Sequence, residues 1–165
     1  MTIEAAIAAN RFGLGARPGE LAAIGANSRG WLLDQISGPS RLPSDIRDLP
    51  HSAETLADVE ALRREQRSNY GRTVRGLYVD QVLARYRAAA ASDFPFYERL
   101  VHFWSNHFAV SVDKQPLPAI AGLFEAEAIR PHVNGNFADM LLAVEKHPAM
   151  IVYLDNQRSV GPASD

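Results

Sequence analysis

Apolar residues recur at intervals of three and four along most of this 165-residue chain, in stretches separated by Gly, Pro, Ser and Asn. That period places apolar side chains on one face of an α-helix. The stretches begin at side-chain caps or at prolines, which both favour a first helical turn. The pattern predicts an all-α fold, an irregular bundle of about seven to eight helices in a single domain over residues 1–165. The predicted helices begin near Thr2, Pro18, Ser28, Ser52, Pro95, Pro118 and Asn136, and the long stretch from Ser52 to Ala91 is expected to break near Tyr70.

Two segments depart from this helical pattern. Residues 38–51 contain three prolines with charged residues between them, which predicts an exposed, Pro-rich connection. The apolar run 150–154 is short and partly β-branched. It fits a strand and a helical turn begun by Pro148 equally well.

Aromatic residues are expected to fill the core, and they are densest in residues 94–108. At about 100° per residue, Val101, Trp104 and Phe108 gather on one face of the helix that these residues form. A bulky apolar face of this kind is expected to be buried. The predicted aromatic core consists of Trp31, Phe96, Tyr97, Trp104, Phe108, Phe124 and Phe137.

A histidine interrupts this apolar face. His107 falls between Leu100 and Phe103 on the helical wheel. A buried histidine needs a partner for each ring nitrogen, and a backbone carbonyl, a substrate or a metal would each serve. His107 is therefore a candidate catalytic base, and the alternative is a core histidine with structural partners. His102 is expected on the solvated side, paired with Glu98 one turn earlier.

A second set of polar residues suggests a metal site. Glu125 and His132 are seven positions apart and can share a helical face, so His107 from the neighbouring helix would complete a His/His/carboxylate set. Such a set suits a divalent metal such as zinc or non-haem iron. The alternative is a polar helix end in which Arg130 pairs with Glu127 or Glu125.

Arginines also cluster locally, although the formal net charge of the chain is -2. Tyr70 and Tyr78 lie among them, and interleaved basic and aromatic residues can contact single-stranded nucleic acid. Because acidic residues dilute this strip, pairing with carboxylates is the favoured interpretation and nucleic-acid binding an alternative. The strip comprises Arg63, Arg64, Arg67, Arg72, Arg75, Arg85 and Arg87.

Three patches occur in order along the chain: Asn10–Gly15, Phe103–Phe108, and a longer region from Ile129 through His147–Met150 to Asn156. In this order and at these spacings they resemble the bacterial family called domain of unknown function 1800. The resemblance covers nearly the whole chain. It implies the N-terminal part of a protein of several hundred residues, with no established activity or cofactor for its members.

The composition of the chain limits the kinds of function that it can have. The chain has no cysteine, which excludes disulfides and thiolate chemistry, and its 47% hydrophobic content is typical of globular proteins. The leading hypothesis is an α-helical scaffold or interaction module that contacts the remainder of a longer protein, another protein, or a second copy of itself. The alternative enzyme is a metal-assisted hydrolase using His107, His132 and Glu125. Without a basic N-terminal region, a signal peptide or an apolar span, the default prediction is a cytoplasmic location, while the resemblance leaves export of a longer protein open.

Overall fold

The computed structural model describes residues 2–37, 42–65 and 68–161. These residues contain ten α-helices and no strand, which confirms the all-α prediction. The α-helices are α1 (Ile3–Phe12), α2 (Glu20–Ile24), α3 (Ser28–Ile36), α4 (Ser44–Arg47), α5 (Ser52–Arg64), α6 (Tyr70–Ala91), α7 (Pro95–His107), α8 (Ala121–Phe124), α9 (Phe137–Lys146) and α10 (Pro148–Tyr153). Single 3-10 turns lie at Leu117–Ala119, Arg130–His132 and Asn156–Arg158, and a π turn spans Glu125–Ile129.

Several helices begin at the side chains that the sequence marks as caps. The Thr2 hydroxyl accepts a hydrogen bond from the backbone N–H of Ala5 at 3.2 Å and caps α1. The Asn136 side chain accepts one from the N–H of Ala138 at 2.9 Å and caps α9. These bonds satisfy backbone donors that have no partner inside the helix. The apolar run after Pro148 is helix α10, so the alternative of a strand is wrong.

The main core lies where α7, α9 and the segment from α8 to the 3-10 turn at Arg130–His132 pack together. Smaller clusters lie between α1 and α2 and between α4 and α6. The main core determines the positions of the charged groups described below, because they project from the same helices. Its most completely buried apolar members include Tyr97, Val101, Leu117, Ile120, Leu123, Ile129, Met140 and Val144.

The segment 38–51, predicted to be an exposed connection, contains a helical turn that packs against the bundle. Residues 38–41 lie outside the described part of the chain, but α4 forms one helical turn within the segment. Ile46 of this turn is buried against Ala84 and Ala88 of α6. The small alanine side chains leave room for Ile46, which explains why a turn between prolines packs onto the bundle.

The aromatic core is smaller than predicted. Tyr97 and Phe124 are buried, whereas Trp104 and Phe108 are half-buried. Phe137 is 50% exposed, so its assignment to the core is wrong. It occupies the first position of α9, and this helix turns Met140 and Val144 toward the core instead. The other two predicted core aromatics, Trp31 and Phe96, are half-buried.

Across the described ranges, no helix combines the length and the apolar character needed to cross a bilayer.

Candidate functional site

An ion pair lies inside the main core. Arg130 has no exposed surface and Glu98 is 1% exposed. Nη1 of Arg130 donates to Oε1 of Glu98 at 2.9 Å, and Nη2 donates to Oε2 at 2.7 Å. This two-bond geometry is the strongest form of a guanidinium–carboxylate contact. The Tyr97 hydroxyl donates to the carbonyl oxygen of Arg130, which also fixes the backbone there.

A second carboxylate links this pair to the surface. Glu125 accepts a bond from Nε of Arg130 at 3.2 Å, from Nε of Arg85 at 2.6 Å, and from the Ser105 hydroxyl at 2.9 Å. The network therefore contains two guanidinium groups and two carboxylates, whose charges cancel. Such balance is required because an uncompensated buried charge costs several kcal/mol.

These contacts define the electrostatics of the network. Burial opposes the charged form of Arg130, but hydrogen bonds and the charges of Glu98 and Glu125 raise the pKa of its guanidinium above the ordinary value. His102 lies nearby. Burial lowers the pKa of His102, the charge of Arg85 lowers it further, and Glu125 and Glu98 oppose these effects. The neutral imidazole is therefore favoured at His102.

An open cleft of about 190 Å³ borders the outer end of the network. Its lining combines polar and apolar side chains. Backbone around the cleft is held by Gln81, whose amide donates to the carbonyl oxygen of Ala119 at 2.6 Å and accepts from the N–H of Gly122 at 2.8 Å. The lining includes Tyr78, Val82, Arg85, Ser105, Asn106, Val110, Phe124 and Glu125.

The helix beside the cleft changes its winding at Glu125. Residues Glu125–Ile129 form a π turn between α8 and the 3-10 turn that carries Arg130. Single π turns occur frequently at functional sites because they rotate side chains out of the regular helical register. Here Glu125 both lines the cleft and contacts Arg130 behind it.

His107 is placed differently from the prediction. It is exposed, and its ring contacts the aromatic rings of Trp104 and Phe108, with centroids 5.6 and 4.7 Å away. The buried face of α7 is centred on Val101, and His107 lies about 120° from it whereas Glu98 lies about 60° from it. The predicted burial of His107 is therefore wrong, and so is the solvated pairing of Glu98 with His102.

The three residues proposed as metal ligands do not form a group. Among the residues that the structure describes, no three His, Asp or Glu side chains lie close enough together to hold a metal ion. Glu125 is bound by Arg85, Arg130 and Ser105. His132 is half-buried in the 3-10 turn that follows the π turn. The alternative prediction, in which Arg130 pairs with Glu125, is confirmed at 3.1 Å.

A separate polar cluster surrounds Glu127. Its carboxylate accepts bonds from the Ser52 backbone N–H at 2.8 Å, from the Ser52 hydroxyl at 2.6 Å and from Nε2 of His147 at 3.0 Å. The N–H of Ala149 donates to Nδ1 of His147, so the imidazole proton is on Nε2. Burial raises the pKa of Glu127, but the bonds from His147 and Ser52 outweigh it and lower that pKa to about 2. The carboxylate thus joins the starts of α5 and α10.

An aromatic surface lies on the outer side of α7 and α9. We name it the aromatic face and define it as Phe103, Trp104, His107, Phe108 and Phe137. Trp104 is its centre, with ring centroids 5.0 Å from Phe103, 6.0 Å from Phe108 and 5.5 Å from Phe137. Phe103 and Phe137 are 58% and 50% exposed.

The arginine strip does not form one continuous basic surface. Arg85 turns inward to Glu125, and Arg63 pairs with Glu60 at 3.0 Å. Arg67 lies outside the described residues. Pairing with carboxylates, the favoured interpretation of the strip, therefore holds for Arg63 and Arg85.

Comparison with known proteins identifies a family that the chain matches. The family model described as "Protein of unknown function (DUF1800)" matches residues 7–165. No curated protein and no solved structure matches the chain.

Proposed function

The chain belongs to the DUF1800 family, whose description assigns no function, and we propose that it is a helical protein-interaction module whose contact surface is the aromatic face. The observation that supports this proposal is the mutual contact of five rings on a surface where two phenylalanines are at least half exposed. Soluble monomers seldom expose contiguous apolar groups of this size without a binding role.

The energetics favour a partner. A phenylalanine side chain buries roughly 200 Å² when it is covered completely. Covering the exposed part of Phe103 or Phe137 would therefore contribute roughly 2.5–3 kcal/mol each, at about 25 cal/mol per Å². Two adjacent anchors of this kind, with Trp104 between them, have the composition of an interaction hot spot.

The partner surface would be apolar. His107 is the sole titratable member of the aromatic face, so the face offers little to a strongly charged ligand. Its rings meet at tilted, stacked and edge-on angles, which leaves both ring faces and ring edges available to aliphatic or aromatic side chains. In the isolated chain, a second copy can supply such a surface.

Sedimentation velocity over a range of protein concentrations tests this proposal. The double variant Phe103→Ser/Phe137→Ser removes the two exposed anchors, and Ile3→Ser/Ile7→Ser is the matched control because both isoleucines are exposed on α1. Concentration-dependent association of the wild type and the control, with a monomeric Phe103→Ser/Phe137→Ser variant, is expected. A wild type that stays monomeric and binds no hydrophobic dye would contradict the proposal.

A further inference from the structure

We propose that the cleft beside Arg85 binds a small monocarboxylate with a short apolar body. The proposal is independent of the aromatic face, because the cleft lies between α6, α7 and α8 and shares none of the five rings. Its basis is a guanidinium group with unused donors, held in place at the edge of a partly apolar cavity.

Arg85 supplies the recognition group. Its Nε donates to Glu125, and its two Nη groups make no hydrogen bond to any residue in the described part of the chain. The side chain is 30% exposed and lines the cleft. The two Nη atoms of a guanidinium present parallel N–H donors, which match the two oxygens of one carboxylate.

The guanidinium is held before any ligand arrives. Glu125 fixes Nε of Arg85 at 2.6 Å, and Glu125 is itself fixed by Arg130 and by the Ser105 hydroxyl. A side chain that is already oriented loses less conformational entropy on binding. The π turn that begins at Glu125 brings this carboxylate to both Arg130 and Arg85.

The rest of the cleft sets the size and polarity of the ligand. Its volume of about 190 Å³ exceeds that of a cavity that accepts one benzene-sized molecule, on the order of 150 Å³, and is smaller than a drug-sized pocket. Val82, Val110 and Phe124 form apolar walls, and the Asn106 amide offers one further polar contact.

Charge selects a monoanion. The two arginines and two glutamates of the network are already neutral together, so the first negative charge of a ligand is stabilised only by direct bonds from the two Nη groups of Arg85. A second negative charge would face the Glu125 carboxylate with no further positive group to offset it. A cationic ligand would be repelled by the guanidinium group of Arg85. A dianionic phosphate also lacks the apolar body that the walls accommodate, so a monocarboxylate is the best match.

Titration of the isotope-labelled full chain with benzoate, followed by amide chemical shifts in NMR, tests the site. Saturable shifts are expected around Arg85, Ser105 and Gly122. The variant Ala109→Leu fills the cleft at an exposed lining position and leaves the charged network intact, so it should weaken benzoate binding at least about tenfold. Ala57→Leu is the control, because Ala57 is exposed on α5 and lies away from the cleft.

Two further probes separate the alternatives. Benzamide has the same shape without the charge and should bind much more weakly than benzoate, whereas equal binding would overturn the role of Arg85. Inorganic phosphate should produce no saturable shifts in the cleft, and binding as tight as that of benzoate would overturn the choice of a monocarboxylate. Benzoate shifts that never saturate, or that Ala109→Leu leaves unchanged, would refute the site itself.

Discussion

Arg130 and Glu98 are 32 residues apart in the chain and bind each other through two parallel hydrogen bonds in the centre of the core. Neither side chain reaches solvent to a meaningful extent. The Glu98 carboxylate is therefore stable only because Arg130 is present, and Arg130 is stabilised by Glu98 together with Glu125. The pair also connects α7, which borders the cleft through Ser105 and Asn106, to the 3-10 turn that carries Arg130.

Removing one member of this pair should destabilise the protein strongly. Arg130→Met leaves Glu98 buried without a partner, and the expected loss in the free energy of unfolding is about 3–5 kcal/mol, measured by urea denaturation. The double variant Arg130→Met/Glu98→Met removes both charges and should recover at least about 2 kcal/mol of that loss. A double variant as unstable as the single one would show that the pair is not an energetically coupled unit.

Acid should remove the stabilisation that Glu127 provides. Its pKa of about 2 in the folded protein lies below the ordinary value of 4.5. The contribution is therefore complete above pH 4.5 and is lost as the pH falls toward 2, about 3 kcal/mol in all at about 1.4 kcal/mol per pKa unit. Glu127→Gln should flatten the pH dependence of the urea midpoint in this window.

The matched control for this experiment is Glu145→Gln, which changes an exposed glutamate of α9 by the same substitution. It should retain the acid dependence of the wild type. Curves for Glu127→Gln and wild type that fall in parallel would refute the assigned role of the bonds from His147 and Ser52.

The close contact between Gly122 and Gln81 should make Gly122 intolerant of a side chain. A Cβ at Gly122 would lie 2.6 Å from Cβ of Gln81, an atom close to the backbone of α6 that cannot rotate away. Gly122→Ala should cost about 1–3 kcal/mol in thermal or urea unfolding. Gly76 lies in the same helix as Gln81, and a Cβ there would have no other atom within 4 Å. Gly76→Ala should therefore raise the free energy of unfolding by about 0.5–1 kcal/mol. Equal effects of the two variants would contradict this contact.

The sequence predicts the helices well because their determinants are local. The caps Thr2 and Asn136 and the apolar period act within a few residues, and the structure has helices where these features predict them. One exception is the helix predicted to begin near Pro118, which is divided into a 3-10 turn, α8 and a π turn. The turn at α4 is another. Its burial depends on Ala84 and Ala88 some forty positions away, and no periodicity around Ile46 indicates that contact.

The charged network around Arg130 is harder to predict from the sequence, because it depends on contacts between segments that are distant in the chain. Helical-wheel reasoning assigned His107 to the core and Glu98 to solvent, and both assignments are wrong. Glu98 is only about 60° from Val101, so the wheel allowed its burial. A buried carboxylate is expected only if a partner is known, and Arg130 becomes visible as that partner only in three dimensions. The one available indication is the predicted pairing of Arg130 with Glu127 or Glu125, of which the structure shows the second.

We propose that the aromatic face becomes covered when the chain associates, and the fluorescence of Trp104 reports on this directly. Trp31 and Trp104 are the two tryptophans, so Trp31→Phe leaves Trp104, at the centre of the face, as the single tryptophan to be excited selectively at long wavelength. Acrylamide quenching of Trp104 emission should decrease as protein concentration rises and association proceeds. Quenching that stays constant while the sedimenting mass increases would show that the contact surface lies elsewhere.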